Sequence, residues 1–214
     1  MIAERRYYRQ AADSSVGDEP DLGFLKSFVP PGSSCIDVGA CVGWYTHVLS
    51  ALAGPGGTVA AIEPNPRSFR YLSYVLRRLG RSNVRAICAA ASDREGKASL
   101  NIPVRNGIEV PYETTVVPGG GPVACITLDS LQMRDVALIK VDAEGHELPV
   151  VKGGVQTISM CKPVLLLEWN PDAHEWALAR GYSAFVAAGG ELKPYQESLR
   201  TVNVWYLPPG RLPS

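Results

Sequence analysis

Short apolar segments alternate with amphipathic segments along most of the chain, and this pattern predicts an α/β fold. Short runs of apolar residues are typical of strands that are buried on both faces, whereas apolar positions three and four residues apart predict helices. The predicted strands are 35–38, 58–62, 84–88, 98–102, 136–141, 163–167, 182–187 and 201–207. The predicted helices are 43–53, a helix that begins at Pro66, 148–159 with a break at Gly153 and Gly154, and 173–180. Strands that alternate with helices predict a mostly parallel sheet covered on both faces.

The first predicted strand runs directly into a glycine turn and a helix, which is where open α/β sheets bind ligands. Gly39 and Gly43 allow the backbone to turn sharply and to approach a ligand without a Cβ in the way. A dinucleotide fingerprint that begins at Gly39 requires glycine at positions 41 and 44, where this chain has Cys41 and Trp44. The spacing therefore disfavours a turn that binds pyrophosphate.

A second acidic strand end lies 20 residues after Gly43. Glu63 follows the apolar run 58–62, and a carboxylate in that place can accept both hydrogen bonds of a ribose diol. S-adenosylmethionine has a ribose and an adenine but no phosphate, so it fits this arrangement. The alternative is that Gly39 and Gly43 only make a tight strand-to-helix connection.

Polar residues gather where the predicted strands end, and a scaffold has no need of so many carboxylates there. They are Asp37, Glu63, Asp93, Asp142, Glu144, His146 and Glu168. Transfer of a methyl group needs the acceptor held in line, and a hydroxyl acceptor must also lose a proton. His146 is the first candidate for the base; the alternative is that His146 and Glu147 cap the following helix. Asp142 is expected to contact the ligand.

Length and turn-forming residues predict how the chain is divided. Residues 1–32 are expected to form a lead-in or lid segment, and residues 33–214 a single catalytic domain. Residues 103–122 are rich in glycine and proline, and we expect a flap on the substrate side that includes a hairpin.

Composition narrows the functional classes. Twenty-one basic and 21 acidic residues balance, which argues against nucleic acid or an anionic membrane as the partner and favours a small or uncharged acceptor. The five cysteines include no C-x-x-C pair and are expected to be reduced, and a packing role rather than a nucleophilic one is predicted for Cys41. No segment reaches the length of a membrane span, so a cytoplasmic protein is expected. The histidines show no metal-ligand spacing, although Asp142 with other carboxylates could hold Mg²⁺.

Several blocks of sequence resemble the FkbM-type methyltransferases, over roughly residues 19 to 170. The blocks are Asp37–Thr46, Ala61–Pro66, Ala91–Gly96, Thr127–Leu131 and Ile139–Glu147, in that order. The most specific is the last, in which Asp-x-Glu-Gly-His-Glu follows an apolar strand.

The resemblance implies a class I methyltransferase fold, a Rossmann-like three-layer sandwich with a seven-stranded, mostly parallel sheet and an antiparallel last strand. It implies S-adenosyl-L-methionine as methyl donor, S-adenosyl-L-homocysteine as product, and O-methylation of sugars, glycolipids or secondary metabolites. The implied cofactor-binding residues are Asp37, Gly39, Ala40, Cys41, Gly43, Trp44 and Tyr45 around the methionine part, Glu63, Pro64 and Asn65 around the ribose, Ser92 and Asp93 at the adenine, and Asp142. Asp142, Glu144 and His146 are implied to face the transfer site.

Two positions depart from the family pattern. Cys41 stands where asparagine is usual, and Ala143 stands where a larger aliphatic residue is common. Alternative functions are an N-methyltransferase or RNA methyltransferase, a non-catalytic S-adenosylmethionine-binding protein, and an NAD-linked oxidoreductase, which Cys41 and Trp44 disfavour. A homo-oligomer whose partner subunit completes the acceptor pocket is a further hypothesis.

Overall fold

A computed structural model describes residues 19–105, 107–197 and 202–211 of this chain. The strands are β1 (Ser34–Val38), β2 (Thr58–Ile62), β3 (Val84–Ile87), β4 (Ala90–Ala91), β5 (Gly96–Asn101), β6 (Val104–Arg105), β7 (Ile108–Glu109), β8 (Thr115–Pro118), β9 (Val123–Ile126), β10 (Val136–Val141), β11 (Val164–Glu168), β12 (Ser183–Ala188), β13 (Glu191–Pro194) and β14 (Asn203–Leu207). The main sheet has the order β13-β12-β14-β11-β10-β1-β2-β3. The predicted strands of the sheet are therefore all present.

The direction of the strands confirms the class I arrangement. Strands β3, β2, β1, β10 and β11 run parallel, and β14 lies antiparallel between β11 and β12. Strand β13 adds an eighth strand that the sequence pattern did not predict, because Glu191–Pro194 contains no apolar run. The Gly189-Gly190 pair marks its turn in the sequence, and both residues have positive φ, 64° and 82°, as a two-residue hairpin turn requires.

Helices cover both faces of the sheet, so its central strands are buried and mostly apolar, with Asp37 in β1 and Lys140 in β10 as charged exceptions. The α-helices of the described residues are α1 (Leu25–Phe28), α2 (Trp44–Ala53), α3 (Pro66–Arg78), α4 (Glu147–Lys152), α5 (Val155–Cys161) and α6 (Pro171–Leu178). The first three pack on one face, against residues such as Cys35, Val59 and Ala61. The last three pack on the other, against Ile36 and Ile139. The predicted three-layer sandwich is confirmed.

The predicted break between α4 and α5 is present, and both glycines there lie in close contact with other segments. A Cβ on Gly153 would lie 2.0 Å from the carbonyl oxygen of Ser92, and one on Gly154 would lie 3.1 Å from the Leu128 side chain. Only glycine allows the approach at Gly153, which lies where the two helices separate. The contact also fixes the position of Ser92 relative to α4.

The described part of the predicted lead-in segment packs into the core. Residues Pro20–Phe24 form a 3₁₀-helix that runs into α1, and Phe28 lies 5.2 Å from the Trp205 ring. Asp21 is buried and accepts hydrogen bonds from Trp205 Nε1 and Asn203 Nδ2, so the segment is tied to β14 by polar as well as apolar contacts. Residues 1–18 lie outside the described residues, and the lid function of the segment stays a prediction.

A small second sheet lies beyond β3. It has the order β4-β9-β5-β8, and β6 pairs with β7 as a separate hairpin. The glycine- and proline-rich segment 103–122 therefore contains the expected hairpin, together with a 3₁₀ turn at Pro111–Glu113 and strand β8. Among the helices that are described, none is long and apolar enough to cross a bilayer.

Candidate active site

A cleft opens where β1, β2 and β10 end. Its volume is about 600 Å³, which includes open solvent at the mouth. Parallel pairing of Val38 with Ile62 and with Val141 brings these three strand ends to one edge of the sheet. The strand-end wall contains Gly39, Cys41, Glu63, Asp142 and Glu144, and the opposite wall contains Pro111, Tyr112, Thr114 and Val116 from the segment 103–122. The sequence predicted a site at the strand ends and a flap in the segment 103–122. It did not show which residues of the segment lie opposite the strand ends.

Gly39 sets the distance between the ends of β1 and β10. Its φ is +73°, and an added Cβ would lie 1.8 Å from the carbonyl oxygen of Asp142. The Asp142 N–H in turn donates to the carbonyl oxygen of Val38 at 3.1 Å. The two strand ends therefore touch through their backbones, and this contact forms the floor of the cleft.

Glu63 is held in the wall of the cleft by two backbone groups. Its Oε2 accepts from the Cys41 N–H and its Oε1 from the Asn65 N–H, each at 2.8 Å. Each carboxylate oxygen has a second lone pair, so both can accept another hydrogen bond. Glu63 is only 4% exposed, and burial raises its pKa to about 7, although the two N–H groups oppose this. This fixed pair of acceptors suits a diol.

Cys41 contributes its backbone rather than its thiol. Its φ is +46°, a conformation that asparagine adopts more easily than cysteine, which accounts for asparagine as the usual residue there. Burial and then the charge of Glu63 raise the pKa of the thiol to about 12. A thiol with so high a pKa stays protonated and is a poor nucleophile, in agreement with the packing role predicted for it.

Asp37 is placed beneath the cleft, not in it. It is fully buried, its Oδ2 accepts from Thr46 Oγ1 at 2.5 Å, and its Oδ1 has no hydrogen bond. Lys140 is 3% exposed and its Nζ lies 3.9 Å from Asp37 Oδ1, while donating to Asp142 Oδ2 at 3.1 Å. Burial lowers the pKa of Lys140, but Asp142 and Asp37 outweigh it and the pKa is raised. Lys140 thus connects a buried carboxylate to one that lines the cleft.

Other residues of the predicted methionine-binding group also lie away from the cleft wall. Ala40 packs against α3, and Gly43 lies where a Cβ would be 2.6 Å from Leu72 Cδ1. Trp44 is the first residue of α2, and Tyr45 lies on the Lys140 side of the sheet with its hydroxyl donating to Glu19. Pro64 lines the cleft, whereas the Asn65 side chain caps α3 and donates to Thr114 Oγ1 at 3.3 Å.

Glu147 shapes the loop that carries the predicted catalytic residues. It is fully buried, and its Oε1 accepts from the N–H groups of Ala143 and Gly145 at 3.0 and 3.1 Å. Its Oε2 accepts from Asn170 Nδ2 at 2.9 Å, which ties the loop to the start of α6. The sequence predicted that Glu147 could cap the following helix. It did not predict that Glu147 holds the loop before that helix, because the groups it binds are known only from the fold.

His146 lies beside Ser92, one of the residues predicted at the adenine. His146 Nε2 shares a hydrogen bond with Ser92 Oγ at 3.0 Å, and Ser92 Oγ also donates to Asp93 Oδ1 at 3.3 Å. Burial lowers the pKa of His146, so the ring is neutral at physiological pH. The ring is not part of the cleft wall that Asp142 and Glu144 form. Its function as a base stays a prediction.

Glu168, at the end of β11, joins Asp142 and Glu144. One carboxylate oxygen of each lies within 4.8 Å of the others, and this is the one such group of acidic, histidine or cysteine side chains within the described residues. Glu168 Oε2 accepts from the Glu144 N–H at 3.1 Å. Burial, and then the charges of Asp142, Glu144 and Glu147, raise the pKa of Glu168 to about 8. The sequence places Glu168 at a strand end, but no catalytic function was predicted for it.

The comparisons with known proteins agree with this geometry. The profile of the family described as "Methyltransferase FkbM domain" matches residues 37–188. A methyltransferase FkbM from Methylobacillus flagellatus KT is similar in structure, with a TM-score of 0.56 at 20% identity; the match covers 82% of this chain and 44% of that one. This chain therefore spans less than half the length of that protein. No curated protein sequence matches the chain.

Two other solved structures share the fold at low identity. Fibrillarin from Aeropyrum pernix, in complex with natively bound S-adenosyl-L-methionine, has a TM-score of 0.52 at 14% identity, covering 87% of this chain and 73% of that one. A SAM-dependent O-methyltransferase from Thermotoga maritima has a TM-score of 0.51 at 14% identity, covering 90% and 66%. At these identities the likeness concerns the fold alone.

Proposed function

Because this chain belongs to the FkbM methyltransferase family, with S-adenosyl-L-methionine as its methyl donor, we propose that it methylates a hydroxyl group on a sugar, glycolipid or secondary metabolite. The observation that carries the proposal is the position of Glu63 in one cleft with Asp142 and Glu144. Glu63 can accept hydrogen bonds from the hydroxyl groups of a ribose, and the carboxylates of Asp142 and Glu144 suit a positively charged sulfonium.

The residues of the cleft fit the donor. Glu63 has two oriented oxygens for the ribose, and Val38, Ala91 and Ala143 give the cleft an apolar surface near it. Gly39, which has no side chain, lies against the Asp142 backbone and lines the cleft. Ser92 and Asp93 are assigned to the adenine end, with His146 orienting the Ser92 hydroxyl. The donor supplies an activated methyl group, and the chain's own residues hold it and the acceptor in line.

The acceptor is assigned to the mouth of the cleft, between the acidic strand ends and the segment 103–122. Tyr112 is half exposed there, and Thr114 and Val116 form the wall behind it. Carboxylates at this position can accept hydrogen bonds from a hydroxyl-rich acceptor and take up its proton. The segment 103–122 accordingly serves as the predicted flap on the substrate side.

Replacing Glu63 with alanine tests the donor site. Loss of the two acceptor oxygens is expected to weaken donor binding by about 1 to 3 kcal/mol, or roughly 5- to 150-fold in Kd. Calorimetric titration with S-adenosyl-L-homocysteine measures the change. Glu191→Ala, at an exposed position on β13, is the matched control and should bind as the unmodified chain does. Equal affinity in the Glu63 and Glu191 variants would remove the assigned ribose site.

Replacing His146 with alanine tests its function at the adenine end. The loss of one hydrogen bond to Ser92 should weaken donor binding by about 0.5 to 1.5 kcal/mol, roughly two- to tenfold. Turnover at saturating donor is expected to persist, as measured by transfer of a labelled methyl group to a panel of hydroxylated sugars and polyketides. Unchanged donor affinity together with lost turnover would instead assign His146 as the base.

The same panel tests the proposed function as a whole. Donor consumption that depends on a hydroxylated acceptor, with an O-methyl product, is expected. Methylation of nitrogen, or of RNA alone, would contradict the proposal. Binding of the donor with no transfer to any acceptor would support a non-catalytic binding protein.

A further inference from the structure

Asn65 joins the two walls of the cleft. Its backbone N–H donates to Glu63 Oε1 at 2.8 Å, in the strand-end wall. Its side-chain Nδ2 donates to Thr114 Oγ1 at 3.3 Å, in the opposite wall. Asn65 and Thr114 are only 1% and 8% exposed, so the hydrogen bond between them is shielded from water. One residue thus contacts both the carboxylate assigned to the ribose and the wall assigned to the acceptor.

The sequence around Asn65 fixes its conformation. Pro64 and Pro66 flank it, and a residue that precedes proline is restricted to extended backbone. Asn65 accordingly has a φ of −77° and a ψ of 116°. Pro66 begins α3, and Asn65 Oδ1 caps this helix by accepting from the Arg67 N–H at 3.0 Å. Because the helix holds Oδ1, the plane of the side-chain amide is set and Nδ2 is directed at Thr114.

Thr114 passes this contact to the 3₁₀ turn Pro111–Glu113. Its Oγ1 accepts from Asn65 and donates to the carbonyl oxygen of Pro111 at 2.6 Å. Tyr112 lies in the middle of this turn, is half exposed and lines the cleft. After Thr114 the chain enters β8, which pairs with β5 in the small sheet. The position of the turn relative to the strand-end wall therefore depends on the hydrogen bond to Asn65.

We propose that Asn65 is a positioning residue for the acceptor: its side chain holds the turn 111–114 at a fixed distance from Glu63 and does not bind the donor. This inference rests on the proposed function, which places the ribose at Glu63 and the acceptor beside the turn. The sequence predicted Asn65 at the ribose. Its backbone N–H does reach Glu63, whereas its side chain is directed to α3 and Thr114. Since methyl transfer needs the acceptor in line with the donor, a wall fixed from the donor side aligns the two ligands.

Two substitutions remove the hydrogen bond, one from each side. Asn65→Ser removes Nδ2 but retains the backbone N–H and an oxygen that caps helices well. Thr114→Val removes Oγ1 with little change in shape. Thr114→Ser retains the hydroxyl and is the matched control. If Asn65→Ser does not fold, the two Thr114 variants still test the contact.

The exchange of single backbone amides, followed by NMR, reports on the turn without any ligand. The Val110 N–H donates to the carbonyl oxygen of Pro103 at 2.8 Å, and the Glu113 N–H donates to that of Val110 at 3.1 Å. Both amides are protected while the turn is in place. Loss of one buried hydrogen bond should speed their exchange about two- to tenfold in Asn65→Ser and in Thr114→Val. Thr114→Ser should exchange as the unmodified chain does.

A double variant shows whether the two residues act through one hydrogen bond. Asn65→Ser combined with Thr114→Val should exchange no faster at the turn than Thr114→Val alone. The Asp142 N–H, which donates to Val38 in the strand-end wall, is the internal control and should be unaffected. Increases that multiply in the double variant, or unchanged exchange in both single variants, would overturn the proposal.

Calorimetric titration with S-adenosyl-L-homocysteine tests whether the Asn65 side chain contacts the donor. Every variant should have a Kd within about twofold of the unmodified chain, because Glu63 keeps both of its backbone donors. A tenfold or greater loss of affinity in Asn65→Ser that Thr114→Val does not share would assign the side chain to the donor and overturn the proposal. If the unmodified chain does not bind this ligand, the proposed function fails, and amide exchange still decides what holds the turn.

Kinetics with an acceptor from the panel of hydroxylated sugars and polyketides distinguish positioning from a general loosening of the fold. Asn65→Ser and Thr114→Val should raise the KM for the acceptor about two- to tenfold and leave the KM for S-adenosyl-L-methionine unchanged. Thr114→Ser should retain the KM values of the unmodified chain. A rise of both KM values by the same factor would indicate a structural function alone and would contradict the proposal.

Discussion

Replacing Lys140 with methionine is expected to lower the free energy of unfolding by about 3 to 5 kcal/mol, which is the cost of breaking a buried ion pair by removing one partner. Asp37 is fully buried and its Oδ1 already lacks a hydrogen bond, so loss of the ammonium leaves this carboxylate without compensation. Asp142, which lines the cleft, also loses the donor to its Oδ2. Urea unfolding measures the change in stability, and calorimetry with S-adenosyl-L-homocysteine measures the change in binding.

The pH dependence identifies the cause. Burial raises the pKa of Asp37, and removal of Lys140 raises it further, so the folded variant holds a proton that the unfolded chain releases. A carboxyl whose pKa is higher in the folded state loses stability as the pH rises from its unfolded pKa toward its folded one. The deficit of Lys140→Met should therefore be smaller at pH 5 than at pH 8. A deficit equal at both values would indicate lost packing instead.

Two further variants complete the test of the ion pair. Combining Lys140→Met with Asp37→Asn removes the uncompensated charge and should restore a large part of the lost stability. Lys152→Met, at an exposed position at the end of α4, should change stability by less than about 0.5 kcal/mol. If the double variant is no more stable than Lys140→Met, the buried charge of Asp37 is not the source of the effect.

Replacing Gly39 with alanine is expected to reduce donor affinity by more than about tenfold and to destabilise the fold, because the substitution forces the ends of β1 and β10 apart. The positive φ alone costs about 1 to 2 kcal/mol for a residue with a Cβ. The clash with the Asp142 carbonyl oxygen adds to this cost, since a backbone atom at 1.8 Å cannot move aside without moving the strand. Urea unfolding and titration with S-adenosyl-L-homocysteine report the two effects separately.

Gly54 is the matched control for Gly39. Its φ of +65° is close to the +73° of Gly39, but no atom lies within 4 Å of an added Cβ. Gly54→Ala should therefore have the cost of backbone strain alone and should bind the product normally. Equal behaviour of the two variants in both measurements would show that the contact between Gly39 and Asp142 does not shape the cleft.

Features encoded in neighbouring residues could be predicted from the sequence. The apolar runs gave the strands of the sheet, and Gly39 and Gly43 gave the turn after β1, because strand burial and positive φ leave local marks in the sequence. Glu63 was found in the same way, since it follows directly on an apolar run. The edge strand β13 was missed because a strand at the sheet edge needs no apolar run, although its Gly-Gly turn was visible.

The apolar runs and glycines did not predict the direction in which each polar side chain points. Asp37 lies near the end of β1, and Glu63 directly follows β2. Asp37 nevertheless points toward Thr46 and Lys140, whereas Glu63 points into the cleft. Alternation along β1 places Asp37 on the face of Cys35, but the partners that receive it come from α2 and β10. Such partners are distant in sequence, so only the folded chain reveals them.

The sequence by itself determined that Glu63 and Asp142 lie at one edge of a parallel sheet, because each directly follows a run that must be buried. Only the tertiary structure determined which contacts the polar side chains at that edge make. Glu147 and Asn170 fix the loop 142–147, and this turns His146 toward Ser92 and places Glu144 beside Glu168. A local pattern fixes where a strand ends, whereas the orientation of the side chains beyond it depends on contacts between segments far apart in the chain.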